Sequence, residues 1–369
     1  MEVAILGLGL IGGSLGMALR RPGAAERSYR VRGIARRAAT LEEAAAVGAI
    51  DSGTLDPAEG VRGADVVVIC TPVSAIISTL STIAPHVSEH AVITDVGSTK
   101  REICAAAWEL LPERPLFIGG HPLAGSERGG VLAADPYLFQ NAVYVLTPPP
   151  RRPGAEDGMQ RLLALVRHIG ADPLVLDPER HDRIVAAVSH LPHLVAAALV
   201  QTVVQASLEE PITLNLAAGG FRDTTRIASG PPDVWRDICL SNAGALLAAL
   251  DRFQESLAAF KEAIAAGRAG ELERLLSAAR EGRGQIPLRA KGLLAPLWEL
   301  VVQVPDRPGV LHAVTGILAE AQINIIDIEI LRVREGEGGT LRLAVESPQA
   351  LQRAVDLLVA AGYSARARG

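Results

Sequence analysis

The chain has 369 residues, of which 49% are hydrophobic and 21% charged, and a formal net charge of −5. This length predicts two or three domains that each bury a core, and the small negative charge argues against a nucleic-acid or membrane partner. Cys70, Cys104 and Cys239 are widely spaced and odd in number, which argues against a disulfide framework or a zinc site and favours a reducing, cytoplasmic compartment.

The N-terminal segment VAILGLGLIGGSLGMALRR has the pattern of an apolar strand, a glycine turn and a helix, and not that of a signal peptide. Gly7, Gly9 and Gly12 have the G-x-G-x-x-G spacing that allows a tight turn, a close approach to a pyrophosphate and close helix packing. Leu10 and Ile11 fall in the first helical turn, whose free N–H groups and dipole favour an anion. We therefore predict a dinucleotide site here; the alternative is a glycine-rich turn without a ligand.

Five further apolar strands follow at the spacing of a doubly wound sheet, at residues 29–35, 64–72, 91–97, 115–120 and 142–148. Their continuous hydrophobicity predicts parallel strands that are covered on both faces. Ligands bind at the carboxyl ends of such strands, which is where Thr71, Ser98, Lys100 and His121 fall.

The end of the second strand bears on the choice of cofactor. Dinucleotide-binding domains use an acidic residue there for the ribose hydroxyls of NAD, whereas this chain has Ala35 followed by Arg36 and Arg37. Two guanidinium groups suit a ribose 2′-phosphate, so we expect NADP to be slightly favoured over NAD. Two solvated surface arginines are the alternative.

The stretch GGHPLAGSERGG, residues 119–130, surrounds His121 with glycine and proline. These residues interrupt regular structure, so we expect a stiff turn that presents the ring instead of packing it. An imidazole that titrates near neutral pH and is held in this way suits proton transfer to or from a ligand. The alternative is an ordinary surface histidine.

From about Leu176 the pattern changes to long amphipathic stretches with apolar residues three and four apart. This predicts an α/β domain over residues 1–177 and an all-α domain over residues 178–282, which would close a substrate cleft and form a homodimer interface. The most apolar run, which starts at Leu194, is interrupted by Gln201 and Gln205 and is short for a membrane span, so we expect a buried helix.

Two motifs in the helical segment contain candidate ligand contacts. His190 and His193, in SHLPH, share one helical face and are either polar lining or two metal ligands, although no third ligand is identifiable and we predict no metal. In GGFRDTTRIASG, Arg226 is either a fork for a substrate carboxylate or the partner of Asp223 in a local ion pair.

The motifs GLGLIGGSLGMALR, TDVGSTK, GGHPLAGSERGG, VSHLPH and GGFRDTTRIA, in this order, resemble the prephenate dehydrogenase family of tyrosine biosynthesis, which includes arogenate and cyclohexadienyl dehydrogenases. The resemblance covers roughly residues 1–280. It implies NAD(P)-dependent oxidative decarboxylation of prephenate to 4-hydroxyphenylpyruvate. An arogenate-preferring enzyme and a catalytically silent nucleotide and amino-acid sensor are the alternatives.

The resemblance also implies roles for individual residues. His121 would accept the proton of the ring hydroxyl, and Ser98 would orient both groups. The remaining substrate contacts would be Arg226 on a carboxylate, His193 and His190 beside it, and Glu127 at the mouth of the site. Ala35 stands where the NAD-preferring members have an acidic residue, so the choice between NAD and NADP stays open.

The C-terminal region has a different organisation. Residues 278–296, AAREGRGQIPLRAKGLLAP, are basic and rich in glycine and proline, which predicts a linker. The order strand, helix, strand, hairpin, strand, helix and strand then predicts a ferredoxin-like α+β fold over residues 296–369.

Two motifs of this region, DRPGVL and INIIDIEI, resemble the ACT domain, a small amino-acid-sensing module that works in pairs. The resemblance implies tyrosine as the effector, bound near Gly309 and Asn324 at an interface between chains. A purely structural appendage is the alternative.

Overall fold

The computed structural model describes residues 1–21, 29–111, 113–125, 128–150, 154–286, 298–305, 307–332 and 339–367. The chain divides into two compact units, Met1–Gly292 and Leu293–Gly369. Glu127, which the sequence places at the mouth of the site, lies outside the described residues.

The first unit begins with an α/β domain. Its helices and strands are, in chain order, β1 (Glu2–Leu6), α1 (Leu10–Arg20), β2 (Arg30–Ile34), α2 (Ala38–Ala46), β3 (Ser52–Thr54), α3 (Pro57–Val61), β4 (Val66–Ile69), α4 (Val73–Ile83), β5 (Val92–Asp95), α5 (Arg101–Leu110), β6 (Leu116–Phe117), β7 (Gly119–Pro122), β8 (Val143–Thr147), α6 (Ala155–His168) and β9 (Asp172–Val175).

Six of these strands form a parallel sheet in the order β3-β2-β1-β4-β5-β6, which confirms the predicted Rossmann-type domain. The side chains of β1 alternate between two cores. Val3 and Ile5 pack in the core that includes residues of α1 and α6, and Ala4 and Leu6 pack in the core that includes residues of α4 and α5. Both faces of the sheet are covered, which is why the strands are continuously hydrophobic.

Two of the predicted parallel strands do not extend this sheet as expected. The segment 115–120 divides into β6 and the start of β7, and the segment 142–148 forms β8 in a separate three-stranded sheet. In that sheet β8 is antiparallel to β7 and parallel to β9. All these strands except β9 are largely buried, so hydrophobicity could not distinguish their directions.

The environment of His121 is therefore different from the predicted turn. Gly119–Pro122 is the strand β7, in which His121 pairs with Val145 of β8, and its side chain is only 8% exposed. The prediction of a presented loop histidine is wrong. Glycine is required at position 120 because this short strand lies close to other backbone: a Cβ on Gly120 would lie 2.5 Å from the Asp95 carbonyl oxygen.

A helical domain completes the first unit. Its elements are α7 (Pro178–Val185), a π-helical turn (Ala186–His190), α8 (Leu191–Glu209), α9 (Gly219–Thr225), a 3₁₀ turn (Arg226–Ser229), α10 (Pro232–Ser241), α11 (Ala243–Ala265) and α12 (Ala269–Gln285). Asp177 caps α7 by accepting hydrogen bonds from the backbone N–H groups of Glu179 and Arg180. Because α12 continues to Gln285, the first part of the predicted linker is helical instead.

The prediction that the apolar run from Leu194 forms a buried helix is also wrong for a single chain. Only His193 and Ala196 of α8 are buried, whereas Val204 and Leu208 are 46% and 72% exposed. In the described residues, the continuous stretch Pro178–Glu209 is the one helix with the length and hydropathy of a membrane span. Its first half carries the buried polar side chains of His181, Asp182 and His190.

The second unit has the predicted βαββαβ order, with β10 (Trp298–Val304), α13 (Val310–Glu320), β11 (Ile325–Arg332), β12 (Gly339–Val345), α14 (Pro348–Ala360) and β13 (Ser364–Ala367). Its antiparallel sheet has the strand order β11-β12-β10-β13. Leu300, Val302, Leu341 and Leu343 pack from the sheet against both helices. The ferredoxin-like prediction is confirmed, and residues 333–338 of the predicted hairpin lie outside the described residues.

Candidate active site

The turn between β1 and α1 has the geometry that its three glycines predict. Gly7 has a φ of +97°, and a Cβ there would lie 2.7 Å from the Cys70 carbonyl oxygen. A Cβ on Gly12 would lie 2.0 Å from the Gly7 carbonyl oxygen, whereas a Cβ on Gly9 would have no neighbour within 4 Å. Gly7 and Gly12 are thus required by the fold, and the backbone at Gly9 is open to a ligand.

Two further features of this edge fit a dinucleotide. The N–H groups of Leu10 and Ile11 in the first turn of α1 have no acceptor within that helix, which leaves them available to an anion. The hydroxyl oxygen of Thr71, just beyond β4, is buried and has no hydrogen-bond partner among the described residues. An unsatisfied buried hydroxyl is costly, and a cofactor bound across the strand ends would supply its partner.

Arg36 and Arg37 lie directly beyond the end of β2, as predicted. Both are exposed, and neither makes an ion pair with another described residue. Ala35, which precedes them, is buried and brings no charge. The two guanidinium groups at this position are therefore free to bind an anionic group.

His121 lies where the α/β domain meets the helical domain. Its Nδ1 is 2.8 Å from Nε2 of His181, and the two rings meet edge-on with their centroids 5.0 Å apart. Burial, followed by the proximity of His181, Lys100 and His190, holds the pKa of His121 well below its usual value. At neutral pH the ring is therefore uncharged and able to accept a proton.

His181 and Asp182, which the sequence analysis did not single out, continue this hydrogen-bonded chain. Nδ1 of His181 lies 2.7 Å from Oδ1 of Asp182. The same carboxylate accepts the backbone N–H groups of Lys100 at 2.7 Å and Arg101 at 2.9 Å, at the start of α5. The one available signal was the adjacent His-Asp pair just after the capping sequence Asp-Pro of α7.

Lys100, expected at a strand end, is instead a structural element beneath the site. Its ammonium group forms an ion pair with Asp95, and both side chains are fully buried. Asp95 also accepts the backbone N–H groups of Gly97 at 2.8 Å and Gly120 at 3.0 Å. This network ties the end of β5 to β7 next to His121.

His190 and His193 lie close together against Trp235. The ring of His193 stacks on Trp235 with centroids 3.5 Å apart, and His190 meets the same indole edge-on at 6.2 Å. His190 contacts the Asn242 amide, which also donates to the Asp182 carbonyl oxygen. Burial lowers the pKa of His190 to about 4 and also lowers that of His193. Nδ1 of His193 is buried without a partner among the described residues.

Arg226 begins the 3₁₀ turn that follows α9, and its side chain is exposed. No ion pair joins Arg226 to Asp223 in the part of the chain that the structure describes. The turn ends at Gly230, where a Cβ would lie 2.5 Å from Nε1 of Trp235 and 3.3 Å from Cε1 of His193. The turn that carries Arg226 therefore packs on the Trp235–His193 stack.

Ser98 is half-buried in the turn between β5 and α5. No hydrogen bond joins Ser98 to His121 in the described structure, where His181 is the residue that contacts Nδ1. The described residues contain no group of three His, Cys, Asp or Glu side chains that could hold a metal ion.

A parallel sheet with a glycine turn for a dinucleotide, followed by a helical domain that brings histidines to the same edge, defines a nucleotide-binding dehydrogenase. Family models agree with this class. Residues 15–173 match the prephenate dehydrogenase nucleotide-binding domain, residues 177–278 match the prephenate dehydrogenase dimerization domain, and residues 298–361 match the ACT domain.

One curated relative spans nearly the whole chain, and two solved structures cover more than three quarters of it. The prephenate dehydrogenase of Bacillus subtilis is 38% identical over 95% of this chain and 94% of its own length. The crystal structure of A. aeolicus prephenate dehydrogenase with hydroxyphenyl propionate and NAD⁺ superposes with a TM-score of 0.71 at 32% identity, covering 78% of this chain and 98% of that one. The crystal structure of Synechocystis arogenate dehydrogenase superposes with a TM-score of 0.67 at 34% identity, covering 77% of this chain and 99% of that one. The chain belongs to the prephenate dehydrogenase family.

Proposed function

We propose that this protein catalyses the NAD(P)-dependent oxidative decarboxylation of prephenate to 4-hydroxyphenylpyruvate and carbon dioxide. The observation that carries the proposal is the uncharged, buried His121, which lies beside the histidines of the helical domain and has one ring nitrogen engaged by His181. A neutral imidazole held in place is suited to general base catalysis. Family membership supplies the substrate class.

In the proposed reaction, Nε2 of His121 accepts the proton of the ring hydroxyl as the carbon that bears this hydroxyl becomes a carbonyl. A bound nicotinamide supplies the hydride acceptor. The ring carboxylate leaves as carbon dioxide, its bonding electrons make the ring aromatic, and His121 returns the proton to the phenol oxygen. Because the same base takes and returns the proton, its distance from the oxygen must be fixed, and burial in β7 provides this.

Substrate binding is proposed for residues of both domains. Arg226 binds one of the two carboxylates with its guanidinium fork. His193 and His190 support this end of the substrate, and the unpartnered Nδ1 of His193 supports a polar contact there. Ser98 contributes a hydroxyl near the reacting oxygen, and Glu127 lines the mouth of the site.

We infer that NADP is favoured over NAD. The support is the pair of unpaired arginines at the end of β2 and the uncharged Ala35 before them, since a 2′-phosphate needs cations where NAD enzymes place a carboxylate. Replacing both Arg36 and Arg37 with Gln is expected to remove that preference.

An assay that crosses prephenate and arogenate with NADP and NAD, followed by the absorbance of the reduced cofactor, tests the activity. His121→Asn is expected to lower kcat by about 10²- to 10⁴-fold, which is the range for loss of a positioned base. The exposed His90 provides the matched control His90→Asn, which should keep full activity. Absence of turnover by the unmodified enzyme with prephenate, or an unchanged rate in His121→Asn, would refute the proposal, and a preference for arogenate would reassign the substrate.

We propose tyrosine as an inhibitor that binds to the C-terminal unit. Gly309, with a φ of +86° and open space around it, precedes α13, and Asn324 follows it. A helix of 11 residues is about 16 Å long, so one amino acid cannot touch both residues within a single chain. Gly309 of one chain and Asn324 of another could share the effector, which fits a module that works in pairs.

Truncation tests this regulation. Tyrosine is expected to lower the rate of the full chain. Deletion of residues 297–369 should leave a folded enzyme, because the first unit has its own cores. That enzyme should be insensitive to tyrosine, because the proposed effector site has been removed. Inhibition that persists in the truncated enzyme would assign the tyrosine site to the first unit.

We also propose that the protein is a cytoplasmic homodimer. The family model for residues 177–278 is a dimerization domain, and the helical domain exposes large apolar side chains on α8, α10 and α11, among them Leu208, Leu240 and Leu247. Exposed apolar surface of this kind is typical of a subunit interface. The described cysteines are all free thiols, which suits a reducing compartment.

A further inference from the structure

We propose that His181 and Asp182 are positioning residues that set the tautomer of His121, so that the Nε2 lone pair of His121 is available to the substrate hydroxyl. The inference rests on the proposed function only where it calls His121 a base. The tautomer itself is a property of the free protein.

The argument starts at Asp182, at the far end of the series of hydrogen bonds. Its two carboxylate oxygens accept the backbone N–H groups of Lys100 and Arg101. An ionised carboxylate can only accept hydrogen bonds. Nδ1 of His181, 2.7 Å from Oδ1, must therefore carry a proton.

The next step fixes the second ring. While His181 carries a single proton, on Nδ1, its Nε2 has only a lone pair. The contact of 2.8 Å between this Nε2 and Nδ1 of His121 then requires Nδ1 of His121 to be the donor. His121 is left with its lone pair on Nε2, which is the nitrogen that the reaction needs.

The hydrogen-bonded series Asp182–His181–His121 also offsets the positive charge that His121 acquires during the reaction. Lys100, His181 and His190 all oppose a positive charge on His121, and Lys100 is itself paired with Asp95. Asp182 is connected to His121 through the His181 ring, which contacts both residues. A carboxylate placed behind an imidazole stabilises the imidazolium.

The same hydrogen-bonded series connects the two domains of the first unit. His121 belongs to β7, whereas His181 and Asp182 belong to α7, the first helix of the helical domain. Asp182 accepts two N–H groups from the start of α5, so the docking of α7 on the α/β domain orders the base. The tautomer is thereby coupled to correct assembly of the cleft.

Two substitutions at residue 181 separate hydrogen bonding from packing. His181→Leu removes the acceptor for Nδ1 of His121, while His181→Gln offers an amide oxygen in its place. His168→Leu is the matched control, because His168 is a partly buried histidine of the same unit that packs on Tyr29, away from the site. Asp182→Asn is the second variant, should His181→Leu fail to fold.

The first readout is the ¹⁵N NMR spectrum of the His121 ring in the full chain without substrate. We expect the Nδ1–H tautomer in the unmodified protein, and loss of that preference in His181→Leu or in Asp182→Asn but not in His168→Leu. An Nε2–H tautomer in the unmodified protein, or the same tautomer in every variant, would overturn the proposal.

The second readout is the division of the kinetic effect between kcat and KM. We expect kcat of His181→Leu to fall by about 100-fold or more, as for loss of a group that orients a base, with KM for prephenate within about threefold because no substrate contact is lost. His181→Gln should recover a large part of kcat. An unchanged kcat in an active preparation would refute the positioning role, whereas an unmodified enzyme that is inactive would refute the proposed function and leave the NMR result standing.

Discussion

The ion pair between Lys100 and Asp95 has the most deeply buried charges in the described structure, since both side chains are fully inaccessible to solvent. A buried pair contributes little net stability as a pair, but removal of one partner leaves an uncompensated charge in the interior. Here that charge would be a carboxylate that also holds β7 through the Gly120 N–H group. The pair therefore fixes the strand that carries His121.

Lys100→Met is expected to lower the free energy of unfolding of the α/β domain by about 3–5 kcal/mol. Urea unfolding monitored by the fluorescence of Trp108, which lies in α5 and packs against the core, would measure it. The control Arg268→Gln removes a half-exposed partner of Glu271 and should cost less than about 1 kcal/mol. Equal losses in the two variants would show that the buried pair has no special role.

Single residues differed in how far the sequence could predict them. The geometry of Gly7, Gly9 and Gly12 follows from the local spacing: the structure has a positive φ at Gly7, a close backbone contact at Gly12 and open space at Gly9. The pairing of His121 with His181 joins residues 60 positions apart. Such a contact has no local sequence pattern, which is why His181 and Asp182 were missed.

At the level of elements, α8 shows the limit of hydropathy. Its apolar run predicts burial, and the structure of one chain leaves Val204 and Leu208 exposed. Both observations agree if a second copy of the chain covers this face, because apolar residues at a subunit interface have the composition of a core. Hydropathy predicts that a surface is buried, and it does not distinguish burial within one chain from burial by a second copy.

Leu208→Arg is expected to shift the protein from dimer to monomer, because it places a charge on the face proposed for the partner. Light scattering coupled to gel filtration would measure the mass. Leu55→Arg, at an exposed apolar position of the α/β domain, should leave the dimer intact. If Leu208→Arg has the same mass as the unmodified chain, the interface lies elsewhere.

At the scale of the whole molecule, the helical and α/β domains together bury several uncharged histidines at their junction. Burial is the main cause that lowers the pKa values of His121, His190 and His193 in the folded state, that of His190 to about 4. The unfolded chain, with ordinary histidine pKa values near 6.5, binds more protons between about pH 6.5 and 4. Folding stability is therefore fully present above this window and is lost as the pH falls through it.

We expect the free energy of unfolding to decrease between about pH 7 and 4, with His190 alone contributing on the order of 3 kcal/mol. Urea titrations at several pH values would measure the slope. His190→Gln should have a flatter dependence than the unmodified protein. A stability that stays constant across this range would contradict the burial of neutral histidines.

The sequence by itself determined the three-part architecture, the glycine turn, the ferredoxin-like tail and the family, because each depends on patterns within a few dozen residues. Tertiary structure alone decided that β7 and β8 leave the parallel sheet, that His121 is buried, and that His181 and Asp182 stand behind it. The physical reason is that strand direction and hydrogen-bond partners depend on contacts between distant segments, and hydrophobicity and local spacing do not encode those contacts.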